Sequence, residues 1–247
     1  MPIPVNGIEQ HYNLDADKYF EHHQHDNKQQ SARHLLAQAE ELFSGKGRLL
    51  DIGAGRGELL TVARDAGWDV TGIEPSARFA EYATSVSGLP VRMEPLEDCK
   101  FPDGSFDCVI LSGVLEHLYN PNETVAEIAR ILAVNGALYI DVPNERGLYF
   151  KAGNLYQKLR GRDWVVNLAP TFSPYHVFGF SPRALRALLS KHGLTPVRWR
   201  IYEGRALVPT QRDVASALES FGANVVTALS KLFEAGTYLE TWAQKQA

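Results

Sequence analysis

The chain has 247 residues, of which 45% are apolar and 22% are charged, and its formal net charge at pH 7 is −4. This composition is typical of a globular protein and excludes a strong general attraction to nucleic acid or to an anionic membrane. The two cysteines, Cys99 and Cys108, are too few for a disulfide framework, so we expect free thiols. Because no apolar leader and no run of 18 apolar residues occur, we expect a cytoplasmic protein without a membrane span.

The N-terminal stretch, residues 1–30, is polar and irregular. It carries four histidines, namely His11, His22, His23 and His25. The spacing and partner residues usual in metal sites are missing, so the sequence predicts no metal. Tyr12 and Tyr19 either fold over a ligand or fix this segment to the core, and both interpretations stay open. From Ser31 onward, apolar residues at helical spacing predict a covering helix that ends before Gly45.

The most informative stretch is an apolar strand, Arg48 to Ile52, that ends in the turn Gly53-Ala54-Gly55-Arg56-Gly57. A helix and a second strand, 69–74, follow, which is the βαβ arrangement of nucleotide-binding proteins. Glu74 ends the second strand, where a carboxylate can accept hydrogen bonds from both hydroxyls of a ribose. In a dinucleotide fingerprint a small residue would stand at Glu58, and this carboxylate would repel a diphosphate.

The pattern D-x-G-x-G-x-G, from Asp51 to Gly57, resembles motif I of the class I S-adenosylmethionine-dependent methyltransferases. Two further stretches resemble the same superfamily. One is the turn 102–105 with the Phe-Asp strand and Glu116-His117-Leu118 behind it, and the other is 176–181 with its following helix. The resemblance implies S-adenosylmethionine as cofactor. It also implies an α/β fold with a doubly wound, seven-stranded Rossmann-like sheet, mostly parallel, whose last strand is antiparallel between the fifth and sixth.

The resemblance also implies a set of cofactor-binding residues: Asp51, Gly53, Ala54, Gly55, Gly57, Glu74, Pro75, Leu96, Glu97 and Ser112. Asp51 would orient the glycine turn or the cofactor's ammonium, and Glu74 would hold the ribose. Many members place an Asp near position 95 for the adenine amino group. This chain has Pro95 there, so we assign that role to Glu97 or Asp98, with the Leu96 amide as a backbone donor.

The second half of the chain predicts the remaining elements. Asn120 as N-cap, Pro121 and a capping-box Glu123 open a helix that Gly136 would end, before a strand over 137–142. A helix from Ser181, with Gly193 as its stop, precedes strands over 195–202 and 236–243. We expect a single domain, 1–247, in four parts. They are an N-terminal helical cap (1–45), a cofactor-binding half (46–143), a substrate lid insertion (144–180) and C-terminal helices and last strands (181–247).

The segment 145–180 is rich in aromatic residues and lies where open α/β sheets bind ligands, which favours a substrate lid. The alternative is an aromatic element packed on the core or on a second subunit. Basic residues outnumber acids between 145 and 162: Arg146, Lys151, Lys158, Arg160 and Arg162. They indicate either that the molecule that accepts the methyl group carries an anionic group or simply that this face of the protein is solvated. The amphipathic stretch 211–233 is open to plain packing, a homodimer face or a lipid-facing surface.

Methyl transfer from a sulfonium is an in-line displacement, and an oxygen nucleophile must also lose a proton. His117 and His176 are the candidate general bases, because histidine titrates in the useful range. Alternatively, His117 binds backbone and His176 anchors the lid. We expect O-methylation of a small molecule such as a sugar, a quinone-type phenol or a natural-product intermediate. A nicotinamide-dependent oxidoreductase, disfavoured by Glu58, and a non-catalytic binding module are the alternatives. No nucleic-acid acceptor is expected. Resembling amino-methylating enzymes have an Asn-Pro-Pro-Tyr type sequence after the fourth strand, whereas residues 111–114 of this chain read Leu-Ser-Gly-Val.

Overall fold

The computed structural model describes residues 25–43, 45–163, 165–168, 176–203, 225–230, 232–233 and 235–246. The tyrosines predicted to fold over a ligand, Tyr12 and Tyr19, and three of the N-terminal histidines lie outside the described residues. So does most of the helix predicted over 211–233, of which residues 225–230 are seen to be helical. The described residues therefore include the sheet, part of the predicted lid and the site between them.

A seven-stranded sheet forms the centre, with the strand order β3-β2-β1-β4-β5-β7-β6. The strands are β1 (Arg48–Ile52), β2 (Asp69–Ile73), β3 (Val91–Arg92), β4 (Phe106–Ser112), β5 (Leu132–Pro143), β6 (Leu194–Tyr202) and β7 (Tyr238–Lys245). Strands β1 to β5 pair in parallel, and β7 is antiparallel to both β5 and β6. The predicted fold class, including the insertion of the last strand between the fifth and sixth, is confirmed.

Six helices are described in full: α1 (His25–Phe43), α2 (Glu58–Asp65), α3 (Ala77–Ser87), α4 (Pro121–Ile131), α5 (Leu148–Leu159) and α6 (Pro182–Lys191). Helix α1 begins six residues before the predicted start at Ser31. Its first turns, HDNKQQ, contain good helix formers but no apolar residue, so apolar spacing could not reveal them.

The two faces of the sheet are covered separately. On one face, Leu36 and Ala39 of α1 pack with Trp242 of β7 in a buried cluster. On the other face, Val125 and Ile128 of α4 and Leu185 of α6 are fully buried against the central strands. Because both faces are covered, the central strands are mostly apolar, and a ligand can reach the sheet at the ends of its strands.

The junction between α4 and β5 differs from the prediction. The helix ends at Ile131 and the strand begins at Leu132, whereas Gly136 was expected to end the helix. Gly136 instead lies inside the strand beside Asn135, whose φ is +64°, next to a register shift between β4 and β5. A Cβ on Gly136 would lie 3.1 Å from the Asp107 carbonyl oxygen. This glycine therefore permits close strand approach and does not stop a helix.

The predicted helix caps are confirmed only in part. Ser181 accepts a hydrogen bond from the Ala184 amide at 3.2 Å, as expected for an N-cap. Asn120 occupies an N-cap position, but its side chain makes no capping hydrogen bond, so the capping-box prediction at Asn120 is wrong. The Glu123 amide donates to the Asn120 backbone carbonyl at 3.1 Å instead.

Both cysteines are free, as expected, with Cys108 buried and Cys99 partly exposed. Among the described helices none is long and apolar enough to cross a membrane.

Candidate active site

The carboxyl ends of β1 and β4 meet at the place where the strand order reverses, which is where open α/β sheets bind their ligands. The loops after β1, β2 and β4 carry most of the predicted cofactor residues. The loop after β4 and the segment near His176 carry the candidate bases. The site thus has two halves, on either side of Ser112.

The glycine turn after β1 is fixed to the neighbouring strand β2. The amides of Gly53 and Ala54 both donate to the Ile73 carbonyl, at 2.9 and 3.1 Å. Gly53 has a φ of +76°, and a Cβ there would lie only 2.5 Å from a methyl carbon of Val114. A Cβ on Gly55 would meet nothing closer than 3.9 Å. The turn is therefore closed on its Val114 side and leaves open space at Gly55, where a ligand can approach the backbone.

Glu74 is oriented by the backbone on both sides. The Gly55 amide donates to its Oε2 and the Ser76 amide to its Oε1, each at 3.0 Å, and the side chain is buried. Burial raises the pKa of Glu74. A carboxylate oxygen can accept two hydrogen bonds, so each oxygen keeps one lone pair for a ribose hydroxyl. The geometry fits the predicted role.

Asp51 is buried close to two other carboxyls, Glu74 and Glu58. Burial, and then the charges of Glu74 and Glu58, raise the pKa of Asp51 to about 7. A cation bound beside Asp51 would favour its ionised form, whereas a diphosphate would meet three acids. This half of the site therefore suits the ammonium and sulfonium of S-adenosylmethionine better than a dinucleotide.

The other predicted cofactor residues are more loosely placed. Leu96 is buried at the start of a short 3-10 turn, Leu96–Asp98. Glu97 is exposed, and its Oε1 accepts a hydrogen bond from Thr124 Oγ1 of α4 at 2.8 Å, so this carboxylate is held toward α4. Pro75 is half-buried between Glu74 and Ser76, and Ser112 is exposed at the end of β4.

The two candidate bases lie side by side although 59 positions separate them in the sequence. The rings of His117 and His176 have centroids 5.0 Å apart, and His176 Nε2 lies 4.0 Å from Glu116 Oε1. The amides of Val177 and Phe178 donate to the Glu116 carbonyl at 2.9 and 3.1 Å. The C-terminal end of the predicted lid is thereby fixed to the loop after β4.

The hydrogen bonds of His176 define its tautomer. Its Nδ1 lies 3.0 Å from the Asn167 carbonyl oxygen and 3.1 Å from Asn167 Oδ1, and the Asn167 amide nitrogen donates to Glu145. Because a backbone carbonyl only accepts, Nδ1 carries the hydrogen and Nε2 carries the lone pair. Burial, reinforced by His117, lowers the pKa of His176 to about 4. At pH 7 the ring is neutral and can accept a proton at Nε2.

Glu116 is a site residue that the sequence analysis did not single out. Its side chain is 3% exposed, burial raises its pKa to about 8, and its Oε2 has no hydrogen-bond partner among the described residues. Ligand atoms of Glu116, His117 and His176 all lie within 4.8 Å of one another, so these three could share one metal ion. Adjacent Glu and His residues were a signal in the sequence, but nothing predicted that His176 would join them.

Comparison with known sequences assigns the chain to a family. A profile described as "Methyltransferase domain" matches residues 20–198. The chain is 30% identical over 155 residues to the ubiquinone biosynthesis O-methyltransferase of Bordetella avium (strain 197N), covering 60% of this chain and 62% of that protein. It is 31% identical over 158 residues to the protein of the same name from Aromatoleum aromaticum (strain DSM 19018 / LMG 30748 / EbN1), covering 62% and 65%. The chain thus spans less than two thirds of the length of these curated relatives.

Solved structures share the fold at low sequence identity. A SAM dependent methyltransferase from Archaeoglobus fulgidus superposes with a TM-score of 0.63 at 18% identity, covering 90% of this chain and 95% of that one. The chain therefore shares the fold of this methyltransferase.

Proposed function

The chain belongs to the methyltransferase domain family, within the class I S-adenosylmethionine-dependent superfamily, and on this premise we propose that it methylates an oxygen of a small quinone-type phenol. The observation that carries the proposal is the neutral His176, whose ring lies beside His117 of the loop after β4, while Val114 of the same loop lies against Gly53 of the glycine turn. The two relatives named for ubiquinone biosynthesis support a quinone-type acceptor. A sugar or a natural-product intermediate would need the same reaction.

The residues divide the work between cofactor and acceptor. Asp51 would hold the cofactor's ammonium, and the remaining lone pairs of Glu74 would accept hydrogen bonds from the ribose hydroxyls. The bound cofactor supplies a methyl group on a positively charged sulfur. His176 Nε2 would take the proton of the acceptor hydroxyl, while the Glu145–Asn167 chain holds the ring in its Nδ1–H form.

His117 is the second candidate base, and its position beside His176 supports a shared role. A positive charge on one imidazole would disfavour a positive charge on the other, because their centroids are 5.0 Å apart. In this proposal the pair of imidazoles therefore carries one positive charge at most.

The lid and the acceptor's charge belong to the same proposal. Helix α5, which covers 148–159 of the predicted lid, buries none of its residues, and all five basic side chains of the segment are exposed. An anionic part of the acceptor would therefore meet them at the outer surface, away from the reacting oxygen. The four-part division of the chain and its cytoplasmic location stay predictions.

A homodimer also stays a prediction. Four apolar side chains near the end of the 211–233 stretch are exposed, namely Val225, Leu229, Leu232 and Phe233. They support a self-association face there. Light scattering at micromolar and submicromolar protein concentrations would show a mass near 55 kDa, twice the 27.5 kDa of the chain, or a monomer that contradicts the prediction.

The direct test is transfer of an isotopically labelled methyl group from S-adenosylmethionine to a panel of phenols, catechols and hydroquinones, with products identified by mass spectrometry. The proposal predicts a labelled methyl ether on at least one of them. Binding of S-adenosylmethionine without transfer to any phenol, but with transfer to an amine, a thiol or a sugar, would contradict the proposed acceptor class.

A further inference from the structure

Asp141 lies near the carboxyl end of β5, beside the end of β4. In the sheet it pairs with Ser112 of β4, and the Gly113 amide donates to its carbonyl at 2.9 Å. Paired residues of neighbouring strands point to the same face and lie about 5 Å apart. Asp51 of β1 pairs with Ile110, two residues before Ser112, so its side chain shares this face too. The face therefore carries Asp51, then Ser112, then Asp141, across the neighbouring strands β1, β4 and β5.

The carboxyl of Asp141 is held in place by a phenol from β6. Tyr202 Oη lies 3.0 Å from both carboxyl oxygens, and the Tyr202 ring stacks on Tyr238 of β7, with centroids 5.5 Å apart and planes at 22°. One hydroxyl hydrogen is thus shared by two oxygens that together can accept about four hydrogen bonds. Among the described residues no basic side chain forms an ion pair with Asp141, because Arg200 pairs with Glu240 at 3.2 Å.

An independent observation indicates that a polar group of a ligand belongs beside this residue. Glu116 and Asp141 both lie within electrostatic range of Tyr238, so the two carboxyls approach the same region. Glu116 is 3% exposed and its Oε2 has no hydrogen-bond partner among the described residues. A buried polar atom of this kind needs a partner, and a hydroxyl of the acceptor would supply it.

We propose that Asp141 selects the acceptor: it accepts a hydrogen bond from a second hydroxyl on the acceptor ring and rejects a carboxylate at that position. The hydrogen bond follows from the spare lone pairs of an oriented carboxyl. The rejection follows because a carboxylate would face the carboxyls of Asp141 and Glu240, and the nearby Arg200 is already paired with Glu240. The stacked tyrosines beside Asp141 favour an aromatic ring. This inference rests on the proposed function and names the substrate class, a neutral polyhydroxylated aromatic molecule.

The test measures binding, so that it does not depend on methyl transfer. Catechol, guaiacol and salicylate would be titrated by calorimetry into the wild type and into Asp141→Asn, both saturated with S-adenosylhomocysteine, at pH 8.5, where Asp141 is ionised. The wild type should bind catechol about ten-fold or more tightly than guaiacol or salicylate, as expected for a hydrogen bond to a charged group. In Asp141→Asn the preference over guaiacol should fall below about three-fold, and salicylate should bind about ten-fold more tightly than it binds the wild type.

Two further variants keep the test decisive. Tyr202→Phe keeps the carboxylate but removes its orienting hydroxyl, so it should weaken catechol selectivity without admitting salicylate, and it serves if Asp141→Asn does not fold. Asp103→Asn changes an exposed carboxylate that pairs with Arg130 far from this face, and it should leave every affinity unchanged.

The proposal is overturned if the wild type does not discriminate among the three ligands, or if Asp141→Asn weakens all three by the same factor, which is the result of a merely structural role. Failure of the proposed function would look different. In that case selectivity would be seen in the binding data, but no labelled methyl group would reach any phenol.

Discussion

The cofactor half and the acceptor half of the site are built in different ways. The cofactor half is local: the turn 53–57 and Glu74 are joined by backbone hydrogen bonds, and Asp51 lies just before the turn. The acceptor half gathers side chains from β4, the lid, β5, β6 and β7, including Glu116, Asp141 and His176, with altered pKa values. The comparison teaches that cofactor binding depends on backbone shape, whereas acceptor chemistry depends on how distant side chains set each other's protonation.

The largest effect should come from filling the glycine turn. Gly53→Val would place a branched side chain where even a Cβ lies 2.5 Å from Val114, at a φ of +76°. Affinity for S-adenosylmethionine should fall by about 100-fold or more, as measured by calorimetry. Gly193→Ala is the matched control, because its φ is +70° and nothing lies within 4 Å of the added Cβ. It should lose about 1 kcal/mol of stability and no affinity. Unchanged affinity in Gly53→Val would show that the turn does not contact the cofactor.

Removing the proposed base should affect only the acceptor half. His176→Ala should lower kcat by about 100-fold or more, while the dissociation constant of S-adenosylmethionine stays the same. His34→Ala, on the exposed surface of α1, is the control and should keep full rate. If His176→Ala keeps its kcat and His117→Ala loses it, the base has been assigned to the wrong histidine. Full rate in both variants would remove histidine catalysis altogether.

Cofactor binding should also release protons. Because the pKa of Asp51 is raised to about 7, about half of this carboxyl is protonated at pH 7, and an ammonium beside it would drive ionisation. Calorimetry in buffers of different ionisation enthalpy should therefore show about half a proton released per S-adenosylmethionine bound at pH 7. Asp51→Asn should abolish the release. Equal release from wild type and variant would place the cation elsewhere.

The smallest effect should be on stability without cofactor. The raised pKa values of Asp51, Asp141 and Glu116, about 7, 7 and 8, mean that these groups stabilise the fold most below the pKa of the unfolded chain. Their contribution is lost as pH rises through 7 to 8. His176, with its pKa lowered to about 4, acts oppositely, but only below about pH 6.5. The Tm should thus fall by a few degrees between pH 6.5 and 8.5, and less in Asp51→Asn. A Tm that rises over this range would contradict the assigned shifts.

Much of the cofactor half could be predicted from the sequence because its signals are local. The turn 53–57, the strands around it and the placement of Glu74 depend on neighbours a few residues away and on glycine's freedom at positive φ. The sheet order, by contrast, was predicted from the resemblance. Local signals failed at Gly136. A glycine often ends a helix, but this one lies inside β5, because its backbone closely approaches the neighbouring strand β4.

The acceptor half could be predicted only as separate residues. His117 and His176 were recognised as titratable groups within motifs that resemble the methyltransferase superfamily. Their contact arises from tertiary packing, and so do the hydrogen bonds that define the tautomer of His176. Asp141 gave no signal, since a single acid inside an apolar strand reads as an ordinary polar position. Its significance depends on Tyr202, which lies 61 positions later and reaches it only because β7 inserts between β5 and β6.

The central claim is that the glycine turn and Glu74 bind S-adenosylmethionine, and thermal unfolding tests it most directly. Wild type and Glu74→Gln would be heated with S-adenosylmethionine or S-adenosylhomocysteine, each at about 100 times its dissociation constant for the wild type, or with NAD at the same concentration. Both sulfur nucleotides should stabilise the wild type by about 2.7 kcal/mol, or roughly 5–10 °C, with a clearly smaller shift in Glu74→Gln and none with NAD. A shift with NAD alone, no shift with any nucleotide, or an equal shift in Glu74→Gln would contradict the account.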